Sequence, residues 1–308
     1  MKQLTNYIMM IRPANFGFNE QTAANNAFQS KDVINDAQSL KEVARTEFDN
    51  MVATLEAKDI NVMVIEDTET PVKPDAVFPN NWISFHRNGT LITYPMYAPN
   101  RRIERREDII EQIGKRFNIK NRYSFEFYED EDKLYLEGTG SMIFDRQNDI
   151  VYACLSQRTD ATLIDKFNVL MGTRSMVFKS VDRQGLEIYH TNVMMALGED
   201  FVVICMESIP DEDSKKALIK IFERTEKEII EISYDQMESF AGNMLEVKSN
   251  DDIRYLAMSQ TAYHSLNEDQ KERLSQKTNL LPIAIDNIEK YGGGSVRCMM
   301  AEVFLSLK

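Results

Sequence analysis

The chain has 308 residues, of which 43% are hydrophobic and 28% are charged, with 12 glycines and 8 prolines. This composition is typical of a soluble globular protein with a large core. The net charge of −13, from 49 acidic and 36 basic residues, argues against nucleic acid as a partner, because phosphate binding needs a basic surface.

The three cysteines, Cys154, Cys205 and Cys298, lie far apart and form neither a CxxC pair nor a Cys/His cluster. That pattern argues against a disulfide scaffold and a structural zinc site, and it fits a reducing compartment. Cys154 and Cys205 lie in apolar runs and are predicted to be core residues. No signal-like segment opens the chain and no apolar run reaches membrane-spanning length, so we predict a cytoplasmic protein without a membrane partner.

In chain order, a strand is predicted at residues 7–12 and a helix at residues 31–58, followed by a hairpin of two apolar runs around Asn88-Gly89. Asn-Gly between apolar runs is the strongest short hairpin signal. Helices and hairpins then alternate to a last predicted strand: helix 101–117, hairpin 140–153, helix 160–171, hairpin 192–204, helix 211–230, hairpin 243–258, helix 267–276 and strand 299–305.

The predicted hairpins and the last strand form a repeat. They begin at residues 81, 140, 192, 243 and 298, and a period of about 50 to 60 residues indicates a repeat architecture. We therefore predict an α/β fold of five ββαβ units around a pseudo-fivefold axis, with the strand at 7–12 pairing with the last strand to close the ring. No linker divides residues 1–308, which favours a single domain.

Residues with reactive side chains occur at or just before these strand starts. Glu137, His190 and Cys298 are the main ones, and Cys298 follows a glycine-rich approach. Each also has a plainer interpretation: a solvated turn carboxylate, a hydrogen-bonded core histidine and a buried thiol beside a turn. Together they form the set needed for a cysteine nucleophile assisted by acid/base chemistry. His86 is expected to face solvent, and His264 precedes a polar loop, so both are weaker candidates.

The chain resembles the guanidine-modifying superfamily of arginine deiminases, dimethylarginine hydrolases, succinylarginine dihydrolases and amidinotransferases. The resemblance is carried by residues 74–81 (PDAVFPNN), Glu137-Gly138, His190 and Arg297-Cys298-Met299, and it extends from Met10-Ile11-Arg12-Pro13 to Cys298. It implies a five-bladed α/β propeller, often called a pentein. The branch with the greatest similarity is the bacterial amidinotransferase-related proteins proposed as citrulline-utilisation hydrolases.

The resemblance implies a role for each matching residue. Cys298 would be the nucleophile, His190 the general acid/base and Glu137 a substrate-binding carboxylate. Asp75, Asn80, Asn81 and Asn192 would contact the substrate. Arg102 and Arg158 resemble the arginines that hold the α-carboxylate, a task that suits a bidentate guanidinium, although Arg102 could instead be a charge on a helix face.

Two departures from the deiminase pattern bear on the substrate. Deiminases have aspartates where this chain has Asn81 and Asn192. Asparagine offers a neutral acceptor and an NH2 donor, which match the C=O and N–H groups of a neutral ureido group. We therefore expect a citrulline-like substrate. Succinylarginine dihydrolases also have Asn in this loop and bind a guanidinium, so arginine remains an alternative.

The sequence thus predicts a cysteine-dependent hydrolase that cleaves a C–N bond of a ureido or guanidino amino acid through a covalent intermediate. It needs no metal and no cofactor. The alternatives are an arginine or dimethylarginine hydrolase, a deiminase and an amidinotransferase. A further alternative is a non-catalytic propeller binding protein, and the presence of Cys298, His190 and Glu137 argues against it. The expected partner is a small amino-acid substrate, and a homo-oligomer is left open.

Overall fold

The computed structural model describes residues 2–23, 26, 28, 29 and 37–308. The strands of these residues form five three-stranded sheets. In every sheet the middle strand pairs antiparallel with one neighbour and parallel with the other, and in four of the sheets the antiparallel pair is a hairpin. The strands are β1 (Tyr7–Arg12), β2 (Asn61–Glu66), β3 (Ile83–Phe85), β4 (Thr90–Thr93), β5 (Asn121–Ser124), β6 (Ile143–Asp145), β7 (Ile150–Cys154), β8 (Arg174–Phe178), β9 (Met195–Leu197), β10 (Phe201–Ile204), β11 (Glu228–Glu231), β12 (Leu245–Lys248), β13 (Arg254–Ser259), β14 (Asn279–Ile283) and β15 (Ala301–Glu302).

The middle strands are mostly apolar because both of their faces are covered. Every residue of β4, β7 and β10 is buried. Strands of this kind have near-continuous apolar runs instead of alternating ones. Cys154 and Cys205 lie in or directly after such strands and are buried, which confirms their predicted core positions.

One long helix joins the middle strand of each sheet to its third strand, so that each sheet and its helix form one blade. The helix Ala161–Met171 shows how the sequence defines such an element. The side chain of Asp160 accepts hydrogen bonds from the backbone N–H groups of Thr162 and Leu163, and Gly172 ends the helix at a φ of 71°. The five helices are Ala37–Glu56, Glu107–Arg116, Ala161–Met171, Glu212–Arg224 and Glu268–Ser275.

Shorter helical segments lie between these elements. The α-helical ones are Pro99–Arg102, Phe127–Asp130, Gly138–Ser141, Thr191–Met194, Tyr234–Glu238, Gln260–Ser265 and Asp286–Gly292, and the 3-10 segments are Pro79–Asn81, Met206–Ser208 and Val296–Met299. No helix in the described part of the chain is both long and apolar enough to cross a membrane.

The predicted five-bladed α/β propeller is confirmed, and so is its closure. β1 pairs antiparallel with β15, with Ile8 opposite Glu302, and parallel with β2. The first blade therefore combines strands from both ends of the chain. That residues 1–308 form a single catalytic domain stays a prediction.

Some predicted boundaries were wrong. The helix predicted at 211–230 ends at Arg224, and Glu228–Glu231 forms β11, which pairs parallel with β10. The helix predicted at 101–117 is two helices with a break at residues 103–106. The last strand contains two residues instead of seven. Of the helix predicted at 31–58, residues 31–36 lie outside the described residues.

Candidate active site

A short turn precedes the hairpin or strand that begins each blade, and the five turns meet. Four of them are single helical turns, where the sequence had predicted strand starts, and the fifth is a non-helical turn. They are Pro79–Asn81, Gly138–Ser141, Thr191–Met194, residues 240–243 and Val296–Met299. Because the sheets surround one axis, side chains from these turns reach a common chamber.

Glu137 and His190 form a short polar contact, and His190 lines this chamber. His190 Nε2 lies 2.7 Å from Glu137 Oε2, and Tyr97 donates its backbone N–H to Glu137 Oε1 at 2.9 Å. Arg158 Nη1 lies 3.5 Å from the same Oε2 atom. Glu137 is fully buried, so the carboxylate depends on these neighbours for its stabilisation.

The charge states of this pair follow from burial and from each other. Burial opposes ionisation of Glu137, but Arg158 and His190 together outweigh it and hold the pKa of Glu137 at about 2. Burial lowers the pKa of His190, although Glu137 opposes that shift. An ionised Glu137 can only accept, so His190 Nε2 carries the proton of the neutral ring. Nδ1 is then the atom of His190 that can take up a proton.

Cys298 lies at the edge of the same chamber, on the 3-10 turn Val296–Met299, and is almost fully buried. Two side-chain amides point their NH2 groups at its sulfur. Asn243 Nδ2 is 3.2 Å from Sγ, and Asn192 Nδ2 is 3.4 Å from it. Asn243 Oδ1 also lies 3.7 Å from Sγ, where it can accept the thiol hydrogen, and N–H donors at this distance can stabilise negative charge that develops on a sulfur nucleophile.

Asp75 is held by a segment near the N-terminus. Its Oδ2 accepts hydrogen bonds from Asn19 Nδ2 at 2.7 Å and from Thr22 Oγ1 at 3.3 Å. Its Oδ1 is buried and has no partner among the described residues. Burial raises the pKa of Asp75, and Arg101, whose Nε lies 3.8 Å from Oδ2, opposes that shift.

The two neighbouring arginines at 101 and 102 have different positions. Arg101 is buried, lines the chamber and donates from Nη1 to Asn81 Oδ1 at 2.8 Å. Arg102, the predicted carboxylate ligand, bonds Asp130 at 3.0 Å and the Met96 carbonyl at 3.1 Å, and it is not among the chamber-lining residues. The structure therefore brings Arg101 to the chamber and leaves Arg102 outside it.

Of the other predicted residues, some lie at the chamber and one does not. Arg158 and Asn81 line the chamber, and the guanidinium of Arg158 lies over the ring of Tyr189, 4.8 Å from its centroid. Asn192 contacts the sulfur of Cys298, as described above. Asn80 is fully buried but does not line the chamber, and neither of its side-chain polar atoms has a partner among the described residues.

The chamber itself is narrow, with a volume of about 20 Å³. That space holds about one water molecule, so the enclosed form must widen before an amino acid can enter. Its lining comes from the blade-start turns, the N-terminal segment and the glycine run: Thr22, Asn26, Asp75, Phe78, Asn81, Arg101, Arg158, Tyr189, His190, Gly292, Gly293, Gly294 and Cys298.

Glycine is required at two places where other groups approach closely. A Cβ on Gly294 would lie 2.9 Å from two ring carbons of Phe78. A Cβ on Gly140 would lie 2.4 Å from Asn81 Nδ2 and 2.8 Å from His190 Nδ1. Both distances are below normal van der Waals contact, so the glycines leave space for the ring of Phe78 and for the side chains that face the chamber.

Sequence reasoning missed several residues that lie in or at the chamber, among them Asn243, Arg101, Tyr189 and Thr22. Asn243 had a detectable signal, because it begins the fourth hairpin at the position equivalent to Asn192 in the third. The others had none, since a second arginine, a tyrosine and a loop threonine are ordinary surface or core residues until the chain has folded. Among the described residues, no group of three or more His, Cys, Asp or Glu side chains is placed to hold a metal ion.

The sequence of this chain is similar to that of a known family. A family model described as N,N dimethylarginine dimethylhydrolase, eukaryotic, matches residues 12–305. No protein with a curated description matches the sequence.

Solved structures with the same fold share little sequence with this chain. The apo structure of ArgZ, an arginine dihydrolase of the ornithine-ammonia cycle in cyanobacteria, has a TM-score of 0.76 at 15% identity, over 98% of this chain and 41% of ArgZ. The chain thus spans about two fifths of that protein. The substrate-bound N-terminal domain of ArgZ aligns with a TM-score of 0.74 at 17% identity, over 97% of this chain and 99% of the domain.

A dimethylarginine dimethylaminohydrolase in adduct with S-methyl-L-thiocitrulline is a third structure with this fold. It aligns with a TM-score of 0.65 at 16% identity, over 97% of this chain and 100% of that chain. At these identities the structural matches establish the fold.

Proposed function

The chain belongs to the N,N dimethylarginine dimethylhydrolase family of the guanidine-modifying superfamily, and we propose that it is a cysteine-dependent hydrolase of a C–N bond in a guanidino or ureido amino acid. The observation that carries this proposal is the placement of Cys298 and His190 in the lining of one chamber, with the buried carboxylate of Glu137 hydrogen-bonded to His190 from behind. A nucleophile, a base and a group that orients the base are the parts that covalent hydrolysis requires.

The first half of the reaction forms a bond to sulfur. The thiol proton of Cys298 passes to His190 Nδ1, and the thiolate attacks the guanidino or ureido carbon. The imidazolium formed is stabilised by Glu137, 2.7 Å from Nε2. It then gives its proton to the departing amine as the C–N bond breaks, which leaves the carbon bonded to sulfur.

The second half consumes water. Neutral His190 removes a proton from a water molecule, whose oxygen adds to the carbon of the intermediate, and the C–S bond breaks to release the thiolate. Microscopic reversibility requires the group that acted as acid to act as base here. With citrulline, the products are ammonia and a carbamate that decomposes to ornithine and carbon dioxide.

A ureido substrate is supported by the orientation of Asn81. The guanidinium of Arg101 cannot accept a hydrogen bond. The amide of Asn81 must therefore direct its Oδ1 toward Arg101 and its NH2 group away from it. Asn81 Nδ2 and Asn192 Oδ1 are buried without partners among the described residues. A donor and an acceptor of this kind match a ureido C=O and N–H. That this chain prefers citrulline, and that it belongs with the citrulline-utilisation hydrolases, stay predictions.

A guanidino substrate is supported by a different observation. Asp75 lines the chamber as a carboxyl group, and its Oδ1 has no partner among the residues that the structure describes. A carboxylate with a free oxygen suits a cationic guanidinium, and one of the structures with this fold is that of an arginine dihydrolase. No contact in the described part of the chain favours transfer to an amine acceptor over transfer to water.

The test is the release of ammonia and amines from citrulline, arginine and methylated arginines, reported as kcat/KM for each. We expect turnover of at least one of them, and a decrease in kcat of at least about a thousandfold in Cys298→Ser, because the covalent step is lost. Intact-protein mass spectrometry should detect the intermediate in the wild type. Comparable turnover by Cys298→Ser would refute the covalent role of Cys298.

The substrate panel also separates the two substrate classes. Asn81→Asp replaces the neutral donor with a carboxylate of the same shape, so it should shift the kcat/KM ratio toward guanidino substrates by about tenfold or more. Arginine far preferred over citrulline by the wild type would end the ureido proposal and leave the hydrolase proposal in place.

A further inference from the structure

A second cavity lies at the far ends of the hairpins that start at the chamber. The strand β3 runs from the turn Pro79–Asn81 to His86, and β6 runs from the turn Gly138–Ser141 to Asp145. Three residues of strand span roughly 10 Å. The cavity has a volume of about 110 Å³, and the turns after these two strands contribute Arg87 and Arg146 to its lining.

Arg146 has a guanidinium without a hydrogen-bond acceptor among the described residues. Its side chain is only 10% exposed, and its Nε lies 4.0 Å from Glu302 Oε1, beyond hydrogen-bond distance. The guanidinium carbon lies 3.9 Å from the centroid of the Phe304 ring and 4.8 Å from that of Phe144. A buried guanidinium is normally satisfied by several acceptors, so Arg146 has unused donors in the lining of a cavity.

Two further guanidinium groups lie near Arg146. The guanidinium of Arg87 lies over the ring of Phe304 as well, at 4.9 Å, and donates to the Leu4 carbonyl at 3.1 Å. Arg297 bonds Glu302 Oε2 at 3.0 Å. Arg146 and Arg297 therefore share the carboxylate of Glu302. Burial lowers the pKa of Arg146 to about 10, and Arg297 and Arg87 add to that shift while Glu302 opposes it.

Two carboxylates, Asp145 and Asp149, also line the cavity, in equal number with Arg87 and Arg146. Asp145 is buried, and both of its carboxylate oxygens accept from the side-chain amide of Asn148, at 3.0 and 2.9 Å. Asp149 is exposed at the hairpin turn. Among the described residues, the ion-pair partner of Arg146 is Glu302 and neither of these aspartates, so the donors of Arg146 stay available to a ligand.

His86 adds a neutral donor to the cavity. Burial, with a contribution from Arg146, holds its pKa well below the usual range, so the ring is uncharged. Ser84 Oγ lies 2.6 Å from Tyr94 Oη and 2.8 Å from His86 Nε2. In this series of three side chains, both hydroxyl hydrogens have an acceptor when Tyr94 donates to Ser84 and Ser84 donates to His86 Nε2. The ring proton of His86 then lies on Nδ1. The expectation that His86 faces solvent was wrong, since it is buried.

We propose that this cavity is a binding site for a small oxyanion, a carboxylate or a phosphate, held by Arg146 and Arg87 and distinct from the chamber of Cys298. Planar guanidinium groups bind both anions through paired N–H donors. An oxyanion would give Arg146 the acceptors it lacks. The proposal does not depend on the proposed hydrolase function.

The test is isothermal titration of the full chain with inorganic phosphate and, separately, with acetate, in chloride buffers of constant ionic strength. We expect saturable binding of one or both anions, and the preferred anion identifies the class of the natural ligand. Arg146→Met keeps most of the side-chain volume and removes the charge, so it should weaken binding by at least about tenfold, since a hydrogen bond to a charged group contributes about 1.5–3 kcal/mol. Arg87→Met should weaken it in the same direction.

Two control variants locate the site. Arg183→Met removes an exposed arginine that pairs with Asp235 and Glu238, and it should leave anion affinity unchanged. Cys298→Ser should leave it unchanged as well. Absence of saturable binding by the wild type, full affinity in the folded Arg87→Met variant, or loss of binding in Cys298→Ser would each overturn the proposal. If Arg146→Met does not fold, Arg87→Met decides the outcome.

Discussion

The imidazole of His190 and the carboxylate of Glu137 determine each other's protonation state. Glu137 is fully buried, and its ionised form persists because Arg158 and His190 lie within 3.5 Å of it. An ionised partner fixes the ring proton on Nε2 and leaves Nδ1 as the basic nitrogen. A single buried contact thus decides which atom of His190 can act in catalysis.

The Glu137 contact predicts a dependence of stability on pH. The pKa of Glu137 is about 2 in the folded protein against an ordinary 4.5, so its contribution to stability is fully present above pH 4.5 and is lost as the pH falls toward 2. Glu137→Gln should therefore lower the free energy of unfolding by about 3 kcal/mol at pH 7 and by much less at pH 3. Urea denaturation at both pH values measures this.

A matched control for this prediction is Glu223→Gln, which changes an exposed carboxylate on the helix Glu212–Arg224. It should change stability little at either pH. An equal loss of stability at pH 7 and pH 3 in Glu137→Gln would show that packing, and not charge, accounts for the contribution of Glu137.

Asn243 is predicted to promote thiolate formation at Cys298. Asn243→Asp has the same shape but places a carboxylate about where Nδ2 now lies, 3.2 Å from Sγ. Two negative charges at such a distance repel by several kcal/mol even at an effective dielectric constant of about 20. The rate of alkylation of Cys298 by iodoacetamide at pH 7 should decrease by at least about tenfold.

Peptide mass spectrometry separates alkylation of Cys298 from alkylation of Cys154 and Cys205. Asn279→Asp is the control, because Asn279 is exposed and bonds the Arg254 carbonyl on the fifth blade. It should leave the alkylation rate unchanged. An unchanged rate in folded Asn243→Asp would rule out this role for Asn243. The assay requires no turnover, so it is independent of the substrate.

At the scale of elements, the short turns that begin the blades position the reactive side chains. A single helical turn reverses the chain over three or four residues and aims its first side chains at the axis. Glu137 precedes the turn Gly138–Ser141, His190 precedes Thr191–Met194, and Cys298 lies within Val296–Met299. The residue types at these turns therefore decide the chemistry, while the sheets behind them provide rigidity.

Gly140→Ala tests how closely two of these turns pack. The added methyl would overlap Asn81 Nδ2 and His190 Nδ1, and both groups are held, by Arg101 and Glu137 respectively. A displacement of about 1 Å at a reacting group can cost about a hundredfold in rate, so kcat/KM should decrease by roughly that factor while the protein remains folded.

Gly114→Ala is the matched control for that substitution. Its Cβ would lie 3.6 Å from Ile119 Cδ1, an ordinary contact, within the helix Glu107–Arg116. Activity should be unchanged, and stability should be unchanged or higher by up to about 1 kcal/mol, since alanine favours helix. Full activity in Gly140→Ala would show that the turns can shift without loss of function.

At the scale of the whole molecule, the two ends of the chain complete one blade. β15 and β1 pair antiparallel, and the backbone N–H of Val303 donates to the Tyr7 carbonyl at 2.8 Å. The turn that carries Cys298 lies directly before β15. Closure of the ring therefore also places Cys298, because β15 anchors that turn beside the turns of the other blades.

Val303→Pro tests the contribution of this closure. Proline removes the N–H donor and leaves the Tyr7 carbonyl without its partner, which should cost about 1–3 kcal/mol in the free energy of unfolding beyond the loss measured for Val303→Ala. Denaturation of both variants in urea gives the difference. Equal stabilities of the two variants would show that the closing hydrogen bond contributes nothing.

Local sequence determined the repeat and the types of residue at its start. The Asn-Gly turn, apolar runs and amphipathic helical segments depend on neighbours within a few residues, so five ββαβ units were predictable, and the sequence itself places Glu137, His190 and Cys298 near the starts of successive units. The helix boundary at Arg224 was not, because EIIEI permits either helix or strand, and parallel pairing with β10 selected the strand.

Only the tertiary structure decided which side chains face the chamber. Arg101 and Arg102 are adjacent arginines in one run of basic residues, yet only Arg101 lines the chamber, because successive residues of a helix point about 100° apart. Asn243 reaches the sulfur of Cys298, and His86 is buried instead of exposed. Local sequence determined the elements and their chemistry, whereas contacts between residues distant in the chain determined the direction of each side chain, since direction depends on how the blades close around one axis.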